Sequence, residues 1–149
     1  MKKLFLLAFI LNLFFVFNST MNSSDNCDLY VNIYNFSSAS GNVRVHLYDL
    51  SRKNNFPNNS ENIYKLVIGK IKSGKSQVKF ANIPRGYYAI SIHHDANLNI
   101  KMDKTFLGLP DEGWGVSNNI KPVMRVPNFD ECKFYVKSNP TSITIRINN

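Results

Sequence analysis

The chain predicts an all-β fold, a single antiparallel β-sandwich of about seven short strands, Ig-like or transthyretin-like, with one long loop after the fifth strand. Three observations predict it. Apolar and polar residues alternate with period two in one segment after another, the signature of half-buried strands. Turn-forming Gly, Pro, Asn and Ser separate those segments. No segment spaces its apolar residues at the helical period, and there is no internal repeat.

In chain order, Leu29, Val31 and Ile33 share one face of the first strand, and Val43, Val45 and Leu47 share one face of the second. The turn Ser40-Gly41-Asn42 between them predicts a hairpin. The stretch from Ser51 to Glu61 holds Pro57 and several Asn, so it reads as a surface loop before a third strand from Ile63 to Ile68. After the turn Ser73-Gly74-Lys75, Val78 and Phe80 alternate with Gln77 and Lys79. Asn82-Ile83-Pro84-Arg85-Gly86 then forces a tight connection. The strand leaving it places Tyr88, Ile90, Ile92 and His94 on one face and Tyr87, Ala89, Ser91 and His93 on the other, so only one of the two adjacent histidines points inward. From Asp95 to Asp130 the periodicity vanishes. Loops of that length are uncommon unless they are functional or organised around something. Strands resume at 133–136 and 142–147, where Ile143, Ile145 and Ile147 alternate with Thr144 and Arg146.

The chain of 149 residues opens with Lys2-Lys3, an apolar run from Leu4 to Phe17, and the polar Asn18-Ser19-Thr20. That plan predicts a signal peptide over 1–21 and an exported domain over 22–149, periplasmic or secreted. The apolar run is shorter than the ~20 residues a bilayer-spanning helix needs, so the chain is not expected to span a membrane once the leader is removed. What remains suits one domain with one core. The formal charge of +8 is dispersed rather than gathered on one face, which argues against nucleic acid and fits protection of strand edges. Cys27 and Cys132, in an oxidising compartment, predict a disulfide worth about 4 to 5 kcal/mol in the chain-entropy description. The alternative is two buried, unpaired thiols.

The chemistry concentrates after the fifth strand. Calcium takes several oxygen ligands, and calcium loops supply them from alternate residues. Asp95, Asn97, Asn99 and Asp103 fit that plan, with the Lys101 carbonyl between the last two and Glu112 completing the shell from outside. Calcium is the implied cofactor. Ile100 stands where an EF-hand needs Gly, and Phe106 where it needs a bidentate Glu, so this is not an EF-hand. The competing reading is that Asp and Asn cap turns through their own backbone.

His93 and His94 also invite a transition metal, but neighbouring strand residues face opposite ways, and His94 hydrogen-bonded at the loop's base is the simpler reading. Trp114 and His94, with Tyr87 and Tyr88, form the candidate ligand-binding set for an extracellular protein or a glycan. Against that, Trp114 and Phe106 fold back to bury the loop. A small hydrolase using Ser117, His94 and Asp95 is the outside alternative. No nucleophile elbow surrounds the serine, and no catalytic residue is assigned.

The pieces Ile83-Pro84-Arg85-Gly86-Tyr87-Tyr88-Ala89, His94 to Asp103, Gly108 to Asn119 and Phe129-Asp130 occur in that order. Together they resemble an uncharacterised bacterial family, domain of unknown function 2141, across nearly all of the exported region. The resemblance implies an exported β-sandwich in the style of transthyretin-like and carboxypeptidase-regulatory-like domains, and it supplies no established reaction. Members of that family usually carry Gly within the Asn-rich loop, where this chain has Leu98 and Ile100.

Overall fold

The computed structural model describes residues 26–121 and 125–149. The leader expected over 1–21 lies outside the described residues. Two sheets pack face to face. One contains β1 (Asn26–Tyr34), β4 (Lys75–Pro84) and β8 (Thr141–Arg146) in the order β4-β1-β8. The other contains β2 (Asn42–Asp49), β3 (Lys65–Gly69), β5 (Gly86–Asp95) and β6 (Trp114–Val116) in the order β3-β2-β5-β6, and β7 (Phe134–Val136) also pairs with β5. The fold is all-β, as expected. Among the described residues no helix is long and apolar enough to cross a membrane.

The alternating residues meet between the sheets. Leu29, Val31 and Ile33 from β1, Val43, Val45 and Leu47 from β2, and Tyr88, Ile90 and Ile92 from β5 are buried there with Val78, Phe80 and Ile83 from β4. Strict alternation on β4 would turn Ile83 outward. A bulge prevents this: Ile83 faces Cys27 while Phe80 faces Leu29, so β4 carries one extra residue. Asn82 takes the left-handed backbone at φ 56°, and its N–H donates to Asp28 Oδ1 at 3.0 Å.

Four expectations are corrected here. First, β1 and β2 form no hairpin: β1 pairs with β4 and in parallel with β8, while β2 pairs with β3 and β5. The sandwich is therefore not wholly antiparallel. The turn at Gly41 is instead a corner between sheets, and it lies so close to the end of β5 that a Cβ there would collide with the Asp95 carbonyl oxygen.

Second, β6 is an additional strand inside the aperiodic region. It pairs with the second half of β5 and β7 with the first half. In the gap between them Ser117 Oγ accepts the Ile90 N–H at 2.9 Å and donates to the Cys132 carbonyl at 2.6 Å.

Third, the segment after β2 is not a bare surface loop. It makes a 3-10 turn (Leu50–Asn55), and Phe56 then packs 5.2 Å from the Tyr48 ring and 6.3 Å from that of Phe129. Phe129 belongs to a one-turn helix α1 (Phe129–Cys132), closed by a reciprocal capping box between Asn128 and Glu131. Phe56, Phe129 and Cys132 cover Tyr48, Ala89 and Val116 on the outer face of the second sheet.

Fourth, that cover rules out the expected disulfide. Cys27 lies in the core between the sheets and Cys132 in the outer cluster, so the second sheet stands between them, and both are free thiols. Burial, reinforced by the Glu131 charge, pushes the Cys132 thiol up to about 12.

Candidate functional site

The site grows from the end of β5. Register places Asp95 opposite Asn42, His93 opposite Arg44 on β2 and opposite Trp114 on β6, and Ser91 opposite His46. Ser91, His93 and Asp95 share the outer face of this strand because they alternate with Ile90, Ile92 and His94. β5 lies inside its sheet and is covered on both faces. As expected, only His94 points inward, yet His93, at 6% exposure, is buried as well because the outer face is covered. His94 faces the sandwich interior, edge-on to Phe36 at 5.2 Å, and its Nε2 lies 2.9 Å from the Ser40 carbonyl. A carbonyl only accepts, so Nε2 carries the proton.

Glu112 returns to this strand end from the far side of the loop. Its Oε2 lies 2.7 Å from His93 Nε2 and accepts the Asp103 N–H at 3.2 Å, while Oε1 accepts the Ala96 N–H at 3.0 Å. Burial raises its carboxyl, but the bonds from His93, Asp103 and Ala96 outweigh that and leave it below its ordinary value. Asp95 is 1% exposed. Its Oδ2 accepts the Ile100 N–H at 3.1 Å, and among the described residues Oδ1 has no partner. One ligand atom from each of His93, Asp95 and Glu112 lies within 4.8 Å of the others.

The rest of the loop is knit by its own polar side chains. Asn97 Oδ1 accepts the Asn99 N–H at 3.1 Å and Asn99 Oδ1 accepts the Lys101 N–H at 2.7 Å, both Asx turns. Their amide groups donate to Asp103, Asn97 at 2.6 Å and Asn99 at 3.0 Å. A small hairpin follows: the Asp111 N–H donates to the Asp103 carbonyl and the Thr105 N–H to that of Leu109, each at 2.8 Å. At its tip Phe106 is fully exposed at 103% and Leu107 at 79%, so Phe106 does not fold back over the loop. Trp114 is a strand residue, half-buried, exchanging backbone bonds with Asn148.

Of the six residues expected around calcium, the structure thus brings Asp95 and Glu112 to one point. Asn97, Asn99 and Asp103 contact each other, and the Lys101 N–H closes a turn. The third member of the buried cluster is His93, whose part the alternation rule obscures by placing it outward. Its neighbour His46 is buried on the same face, with Nε2 lacking a partner among the described residues. Burial first, then the charges of Arg44 and His93, bring His46 down to about 4. Ser117 and His94 do not meet as a hydrolytic pair: the hydroxyl serves Ile90 and Cys132, and the imidazole serves Ser40.

A two-sheet sandwich with one long polar loop knotted to the end of a central strand by a largely buried His–Asp–Glu cluster defines the class of this protein. The sequence profile of the family described as "Uncharacterized protein conserved in bacteria (DUF2141)" matches residues 31–144. The chain belongs to that family. Comparison with curated proteins and with solved structures gave no match.

Proposed function

We propose that this chain is an exported β-sandwich module with a binding or structural role, and that a divalent cation organises its 95–112 loop. The observation that carries this is the Asp95 carboxylate, 1% exposed and with Oδ1 lacking a partner among the described residues. A buried carboxylate oxygen without a donor is costly, and an ion beside it removes the cost. Calcium is the hard-ion case, in which Asp95 and Glu112 are joined by Asp103, the Lys101 carbonyl and the Oδ1 atoms of Asn97 and Asn99, once those amides turn away from their present bonds.

Thermal unfolding with chelator and then with calcium tests the reading. An ion that binds only the native state stabilises it by RT ln(1 + [L]/Kd), so saturating ion raises the midpoint by several degrees. The Asp95→Ala, Asp103→Ala double variant should not respond. A wild-type midpoint indifferent to every divalent ion would end the proposal.

A second reading, a metal-free surface module for a glycan or a protein, draws on the exposed Phe106 and Leu107 at the hairpin tip and on Trp114 behind it. Ligand binding that survives chelator and is lost in Trp114→Ala or Phe106→Ser would favour it.

A further inference from the structure

We propose that the ion is a borderline first-row metal of the zinc class, held at the inner end of the loop by His93 Nε2, a carboxylate oxygen of Asp95 and a carboxylate oxygen of Glu112. The inference rests on the cation reading above and names the ion class and the ligand set.

Three observations carry it. The donor set is mixed: an imidazole nitrogen beside two carboxylates suits zinc, cobalt and nickel, whereas calcium takes oxygen. The geometry is convergent, since the three ligand atoms lie within 4.8 Å of one another, and an ion would open the 2.7 Å His93–Glu112 contact while drawing the wider separations in. The charge is unbalanced. Asp95 is buried and the Glu112 side chain is only 6% exposed, and among the described residues the His93 imidazole is the one basic group at ion-pair distance from either carboxylate. A divalent ion neutralises the two carboxylates beside the imidazole.

Beyond the acidic cluster itself, orphaned atoms point to a ligand. Asp95 Oδ1 is buried and unpartnered among the described residues, and so is Oδ1 of Asn42, the residue directly opposite Asp95 on β2. Both are acceptors, so neither can satisfy the other. A cation serves both, with the Asn42 oxygen or a water in the fourth position that three protein ligands leave open. The hydrogen bond between His93 Nε2 and Glu112 Oε2 gives way as the metal takes both atoms.

Trp114 supplies the readout. It is the chain's one tryptophan and stands directly across from His93. The chelator-stripped full chain is titrated with Co2+, Zn2+ and Ca2+, following Trp114 fluorescence, the visible absorption of bound Co2+, and the thermal midpoint. Stoichiometric Co2+ is expected to quench Trp114 and to develop nitrogen-ligand absorption, and Zn2+ to displace it and raise the midpoint. His93→Gln should lose the Co2+ spectrum and the quenching, while the exposed-site control Asp111→Asn keeps both. If His93→Gln does not fold, wild type decides alone, because Ca2+ should not displace Co2+ at equal concentration. A response to Ca2+ without Co2+ or Zn2+ binding would overturn the metal class and leave the cation reading standing. No binding of any of the three overturns both.

Discussion

Glu112 and His93 stand 2.7 Å apart at the root of the loop, and the same carboxylate holds the amides of Ala96 at the loop's start and Asp103 at its middle. One side chain thus ties three points of the chain to the end of β5. Removing it leaves two backbone N–H groups and a histidine without their acceptor in a largely buried place. Breaking a buried hydrogen-bonded pair costs about 3 to 5 kcal/mol, so Glu112→Ala should lower stability by an amount of that order, and Glu112→Gln by less because the amide oxygen still accepts. Chemical denaturation of the two variants beside wild type measures this. A loss under about 0.5 kcal/mol for Glu112→Ala, the size of an ordinary surface change, would mean that the loop does not depend on the contact.

Acid should loosen the same root. The Glu112 carboxyl is held below its ordinary value, so the folded state binds a proton less readily than the unfolded chain. Its contribution is complete above the unfolded carboxyl range and is lost as pH falls through the lowered folded value. Amide exchange of Ala96 and Asp103 should therefore accelerate below about pH 4, where unfolded glutamates begin to protonate, and Glu112→Gln should remove that dependence.

His46 predicts a separate effect at milder pH. Brought down to about 4 by burial and by neighbouring positive charge, it stays neutral in the fold, while in the unfolded chain it takes a proton near its ordinary value. Between those values the unfolded state binds more protons, so stability falls as pH drops through the window, by about 3 kcal/mol in all from a shift of this size. His46→Gln has no proton to gain. Its denaturation midpoint should decline less steeply than wild type's between pH 6.5 and 4, and parallel curves would refute the assignment.

The thiols give a redox prediction. Cys27 and Cys132 lie on opposite sides of the second sheet, and Cys132 is further protected by its raised pKa, since the thiolate is the reactive form. Neither should react with a thiol reagent until the fold opens, and reductant should leave the unfolding midpoint unchanged. A midpoint lowered by reductant would show that the two sulfurs pair.

What the sequence could not tell follows from what alternation encodes. Leu29, Val31 and Ile33 declare which face of β1 is buried, but nothing in their spacing names the strand alongside, so the parallel pairing with β8 was illegible. Alternation correctly turned His93 away from the sandwich interior. It is silent on what covers that outward face, and here Phe56, α1 and the returning Glu112 do so. Trp114-Gly115-Val116 is too short and too glycine-rich to show a period, which hid β6 and with it the cross-strand neighbour of His93. The Asn128 to Glu131 capping box was readable in principle, since Asn followed three residues later by Glu is a helix-start signal.

The backbone of the Asn-rich loop supports a last prediction. Leu98 and Ile100 adopt φ of 64° and 71°, a region that costs a residue with a Cβ roughly 1–2 kcal/mol and glycine almost nothing. Both side chains are mostly exposed, at 61% and 64%, so little packing offsets that cost. Hydrogen bonds on either side hold the conformation: Asn97 Oδ1 to the Asn99 amide, Asp95 Oδ2 to the Ile100 amide, and Asn99 Oδ1 to the Lys101 amide. Glycine loses more conformational entropy on folding, about 0.5–1 kcal/mol, so the net gain from Leu98→Gly or Ile100→Gly should be about 0.5–1 kcal/mol each. For a domain of this size that is a midpoint rise of about 2–4 °C per substitution. The two gains should be close to additive, because the residues share no side-chain partner among those described. If instead each substitution lowers the midpoint, the apolar side chains hold the loop together and the left-handed backbone is not the strained element.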